Sequence, residues 1–141
     1  MSKVDRTTAI QVPISIGELL DKITILELKK ARIVDEVKQF NVTRELAVLV
    51  AIADESLRLG DEGLRIVDEL RRVNSQLWDV EDNIRACERH QDFGNHFVEL
   101  ARSVYRHNDK RALLKQKLNE ITGSKLVEEK SYSGYGTRMK E

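Results

Sequence analysis

Proline occurs once in this sequence, at Pro13, cysteine once, at Cys87, and tryptophan once, at Trp78. Aromatic residues make up 5% of the 141 residues, and there are 7 glycines. So few turn-formers argue against a β sandwich, whose short strands need turns at close intervals. The lone cysteine excludes an intrachain disulfide and suits a reducing compartment. No stretch approaches the ~20 apolar residues of a membrane span, and the opening MSKVDRTTAIQV has no apolar core for a signal peptide. A soluble, cytoplasmic protein without membrane insertion is therefore expected. Net charge is missing too: 24 Lys and Arg balance 24 Asp and Glu, so no global field draws the chain to nucleic acid or membrane.

Charge and helical rhythm are what the chain does have. Charged residues account for 34%. They are unevenly placed: residues 1–43 carry 7 basic and 6 acidic groups, 44–95 carry 7 and 12, and 96–141 carry 10 and 6. The acidic middle and the basic end each carry a long apolar seam. The first runs through Ile66, Leu70, Val73, Leu77, Val80, Ile84 and Cys87 in alternating steps of four and three. The second follows Phe97, Leu100, Val104, His107, Arg111, Leu114, Leu118 and Ile121. This spacing is that of helices packed lengthwise on one another.

The expected fold is an all-α, antiparallel bundle of three long helices and one shorter, with short extended segments at both ends. A single helical domain is expected, with residues 1–14 as lead-in, 15–122 as bundle and 123–141 as a partly docked tail. Ser15-Ile16-Gly17-Glu18 has the form of a capping box and starts a helix running to about Gln39. Its apolar face carries Ile16, Leu19, Leu20, Ile23, Leu26, Ile33, Val34 and Val37. Asn41 and Thr43 mark a break. A second helix, Arg44 to about Arg58, contains LAVLVAIA and should be well buried. The third spans about Asp61 to His90 and the fourth about Asn95 to Thr122, ending at Gly123. Ala9–Ile14 and Lys125–Tyr132 offer a conceivable two-stranded pairing; residues 1–8 and the last residues read as loose. Folding the third helix back on the fourth sets Val73 against Arg111 and Leu77 against His107.

A polar layer midway along this bundle is the candidate site. Glu27 and Lys30 intrude on one apolar face and His107 and Arg111 on another, with Asn74, Glu81 and Asn108 at the margins. A buried charge is unfavourable by several kcal/mol unless paired. One reading is a self-satisfied network, Glu27 or Glu81 to Arg111. The other is a pocket for an anionic small molecule such as a sugar phosphate or nucleotide sugar, with Arg111, Lys30 and His107 as donors. Trp78 lies one place off its seam, as helix-contact packing or as a ligand platform. Arg102, Arg106, Lys110 and Lys117 share a helix side, but interspersed acids and missing aromatics make this a solvated face, and nucleic acid is not the expected partner. Cys87, His90 and His96 match no common zinc spacing, and no nucleophile stands beside a base. No catalytic residue, metal or cofactor is expected.

Four stretches resemble an uncharacterised bacterial family, a domain of unknown function (6165): VPISIGELLDKITILELK (12–29), VNSQLWDVEDNIR (73–85), FVELARSVYRHNDKRA (97–112) and GSKLVEEKSY (123–132). The resemblance implies a small helical protein without established activity, of a kind found beside genes for surface-polysaccharide assembly and glycosyl transfer. Because the family pattern includes Glu128 to Tyr132, Lys125–Tyr132 is expected to dock on the bundle or on a partner. The function expected is a non-catalytic interaction or scaffold module, a homo-oligomer with a dimer favoured and a further protein partner. An enzyme or sensor binding an anionic metabolite is the alternative, and nucleic-acid binding through the Arg102 helix side is a second.

Overall fold

The computed structural model describes residues 9–132 and 134. The loose leader expected over residues 1–8, and the end expected to be loose beyond Tyr132 apart from Gly134, lie outside the described residues. Four helices follow in order: α1 (Ile16–Arg32), α2 (Glu36–Ser56), α3 (Asp61–Arg89) and α4 (Asn95–Thr122). No strand forms among the described residues, so Ala9–Ile14 and Lys125–Tyr132 do not pair as a ladder.

Helices α3 and α4 form an antiparallel hairpin, each about 42 Å long at 1.5 Å per residue. Gly63 of α3 lies against Ile121 of α4, in the same register that sets Val73 opposite Arg111. The turn between them places Gln91 at φ 55°, while Gly123 ends α4 in the left-handed conformation at φ 68°. Helix α1 lies across one half of the hairpin, antiparallel to α4. Its residues Leu19, Leu20 and Ile23 join Ile66, Val67, Leu70 and Val73 of α3 and Leu114 and Leu118 of α4 in one core. Leu70 and Leu118 are completely buried there.

The first helix is shorter than the sequence suggests, and α2 starts earlier. The apolar rhythm does run past Arg32, but Ile33 is extended and Asp35 caps a new helix by accepting the Lys38 N–H at 3.0 Å. The Gln39 side-chain amide donates back to the carbonyls of Lys30 and Ile33, which closes the end of α1. A strong cap with its own backbone partners outweighs two β-branched residues that merely fit a wheel. Val34 and Val37, expected inside, are 90% and 70% exposed.

Helix α2 also departs from expectation: among its 21 residues only Val42 is buried. The reason is geometric, since α2 packs along α1 alone and neither α3 nor α4 approaches its backbone. Gln39, Val42, Leu46, Leu49 and Ala53 turn toward the core, while Phe40, Val48 and Ile52 stay exposed.

Candidate functional site

The bundle centre is built around a carboxylate that composition and seams do not single out. Asp21 is completely buried on α1. Arg111 of α4 grips it with two bonds, Nε to Oδ1 at 3.0 Å and Nη2 to Oδ2 at 2.5 Å. Asn74 of α3 donates to the same Oδ1 at 2.9 Å and to Thr24 Oγ1 at 2.9 Å. Thr24 in turn donates to the Asp21 carbonyl. Three helices are thereby joined through one charge, and no buried side-chain nitrogen or oxygen among the described residues lacks a partner. The bond to Asp21 raises the Arg111 pKa, more than burial lowers it.

A second polar layer lies one turn toward the start of α1. Lys115, nearly buried, contacts Glu18 at 2.9 Å and Glu128 at 2.6 Å. Burial alone would lower its pKa; the hydrogen bonds to Glu128 and Glu18 outweigh that and raise it. Gly17 approaches the α4 backbone so closely that a Cβ there would stand 2.4 Å from the Lys115 carbonyl oxygen. This proximity lets α4 cap α1: Asn119 Oδ1 accepts the Gly17 N–H at 2.7 Å and Ser124 Oγ the Ile16 N–H at 3.0 Å. Ser15 Oγ accepts the Glu18 N–H, as its capping form suggests. The Glu18 carboxylate itself reaches Lys115.

Beyond Gly123 the chain returns along α4, held by Glu128 on Lys115 and by Lys130 on Asp109 at 2.7 Å. Between this segment and α4 lies a cleft of about 520 Å³ that includes Asn108, Arg111, Lys115 and Tyr132. On the other side of Arg111 a second cleft, of about 530 Å³, opens between the three helices. Ile25, Leu28, Leu77 and Trp78 supply its apolar walls, and Asn74, Glu81, Asn108 and Arg111 its polar ones.

Five of the eight residues proposed from sequence therefore share this second cleft: Asn74, Trp78, Glu81, Asn108 and Arg111. The remaining three lie elsewhere. Glu27 pairs with Arg71 at 2.8 Å, Lys30 is exposed, and the His107 ring nitrogen Nδ1 sits 2.7 Å from the Ser103 carbonyl on its own helix. The pairing expected between Arg111 and Glu27 or Glu81 is replaced by Asp21, because α1 presents Asp21 toward α4 and Glu27 toward α3. Glu81 instead pairs with Arg85 one turn along. Trp78 is half-buried beneath the Arg32 guanidinium, 5.6 Å from the ring centre, and Arg32 also bonds Ser75 and Asp79.

Asp21, Thr24 and Lys115 escaped the sequence reading, although a signal for them exists. Gly17, Asp21, Thr24 and Leu28 recur in steps of four, three and four, a second stripe beside the leucine face. Glu18 and Asp21 on one helix also match Lys115 and Arg111 on an antiparallel one, acid against base at nearly equal spacing.

Among the described residues, no group of three or more His, Cys, Asp or Glu side chains is placed to hold a metal ion. No helix there is long and apolar enough to cross a membrane. No curated protein and no solved structure matches the chain. The sequence model of one family does match, the family of unknown function DUF6165, over residues 10–139. Spanning nearly the whole length, that match makes this chain a member of DUF6165.

Proposed function

We propose that this protein is a non-catalytic helical interaction module that self-associates and serves as an accessory or scaffold in the bacterial cytoplasm. The observation that carries this reading is the apolar surface left uncovered. Phe40, Val48 and Ile52 of α2 are 61%, 57% and 44% exposed. Leu77, Val80 and Ile84, with Leu100 and Val104, are covered only in part. Exposed apolar surface, where it gathers into a patch, marks association sites in soluble proteins. The polar centre supports the same reading, because Arg111 is spent on Asp21 and ties helices together. The family resemblance suggests glycosyl-transfer machinery as the further protein partner. Light scattering on the eluting protein tests self-association: a dimer is expected at micromolar concentration, and a monomer up to ~100 µM contradicts it.

A second reading has its own observation, the cleft beside Trp78. Its apolar walls and convergent polar groups fit a small amphipathic metabolite. An anionic one would rely on Arg85 and the outer edge of Arg111, against Glu81 and Asp82 in the same lining. A thermal-shift screen of sugar phosphates and nucleotide sugars tests it. A stabilisation lost in Trp78→Ala supports the cleft; no stabilisation by any compound removes it.

A further inference from the structure

The exposed face of α2 is self-complementary in charge as well as apolar. Val37, Phe40, Arg44, Val48, Ala51, Ile52 and Glu55 lie on the side turned away from α1, and all are exposed. The core-facing stripe of Val42, Leu46, Leu49 and Ala53 lies opposite. A lone surface helix needs one apolar stripe, and α2 has two. Arg44 and Glu55 are eleven residues apart, three turns, which puts them within about 20° of each other around the helix. Between them on that face lie Val48, Ile52 and the small residues Ala47 and Ala51, with the exposed Asp54 at its edge.

We propose that α2 pairs antiparallel with α2 of a second copy about a twofold axis passing between Val48 and Ala51. This rests on the self-association proposed above and specifies its surface and register. A twofold axis there sets Arg44 of each copy opposite Glu55 of the other, twice per dimer. It also sets Val48 on the partner's Ala51 and Ile52 on the partner's Ala47, large against small. The alanines let the two helices approach closely, as ridges packed in grooves require. An isologous contact of this kind closes on itself, so the assembly stops at two. Phe40 flanks the contact, with the Arg44 guanidinium 5.5 Å from its ring centre, which holds Arg44 on this face before association.

The test is a charge swap read by sedimentation equilibrium on the full chain. Arg44→Glu alone and Glu55→Arg alone each place like charges across the axis twice, and each is expected to weaken the dimer about tenfold or more. The double variant Arg44→Glu/Glu55→Arg restores opposite charges and is expected to return within about threefold of the parent. Val48→Glu is expected to give a monomer with unchanged helix content, since Val48 is 57% exposed and outside the core in the single chain. A dimer indifferent to all four variants overturns the α2 pairing while leaving self-association standing. Single swaps that weaken the dimer without rescue by the double overturn the antiparallel register. A parent chain that is monomeric throughout overturns both.

Discussion

At the scale of single residues, the Asp21–Arg111 pair is asymmetric. The Asp21 side chain is completely buried, whereas that of Arg111 is 29% exposed. Arg111→Ala leaves a buried carboxylate with Asn74 as its remaining side-chain donor, which should destabilise the fold by about 3–5 kcal/mol. Asp21→Ala should be milder, because the freed guanidinium can turn to water. Replacing both, as Asp21→Leu/Arg111→Met, should recover most of the loss, since removing a buried pair together avoids the stranded charge. Urea unfolding of the three variants checks this order, and a double variant no better than Arg111→Ala contradicts it. Lys115 makes a pH prediction. Its folded pKa is raised, so its stabilising contribution is complete below the unfolded lysine value of about 10.4 and is lost as pH rises through the folded value. The stability gap between the parent and Lys115→Met should therefore narrow in the alkaline range. A gap that stays constant there contradicts the raised value.

At the scale of elements, the ends of the helices are set by caps that differ in how visible they are. Ser15 and Gly123 announce themselves by residue type, and both act at the positions their chemistry suggests. The end of α1 does not, because Asp35 and Gln39 read equally well as exposed polar residues of a continuing helix. Only the reach of the Gln39 amide back to Lys30 and Ile33 shows the break. The end of α3 is similar: the turn to α4 contains Gly94, yet Gln91 takes the left-handed conformation and Gly94 does not. A non-glycine residue there is strained by about 1–2 kcal/mol. Gln91→Gly should relieve it, less the side-chain bond that Gln91 donates to the Glu88 carbonyl and the added freedom of the unfolded chain. A net stabilisation of about 0.5–1 kcal/mol is expected from thermal and urea unfolding, and a loss of stability argues against the strain.

At the scale of the whole molecule, the hairpin is longer than the helix that covers it. With 17 residues, α1 spans about 25 Å of a hairpin some 42 Å long. Every buried residue of α3 up to Asn74 and every buried residue of α4 lies in the covered half. In the uncovered half only Cys87 is buried. Amide exchange should follow that division: residues 64–74 and 111–119 should exchange near the global unfolding limit, and 80–104 distinctly faster. Equal protection along both helices contradicts it and points to a cover on the outer half. Self-association through the outward face of α2 leaves this gradient in place, because the α2 backbone approaches α1 alone and not the outer half of the hairpin.

The sequence by itself determined the all-helical class, the register of α3 on α4 and the start of α1, because each depends on spacing or on one cap within a short span. It also named five residues that the fold collects into one cleft, since Asn74, Trp78, Glu81 and Asn108 flank the seams beside Arg111 and come together when the seams close. Which carboxylate meets Arg111, where α1 stops and how little of α2 is covered were decided by tertiary structure alone. Those outcomes depend on the angle at which α1 crosses the hairpin, and that angle follows from the close contact of Gly17 with α4 and the anchoring of Arg32 on α3. Periodicity along one helix carries no record of how two helices cross. The same reason explains why the apolar stretch LAVLVAIA read as core: nothing among the described residues covers its second stripe.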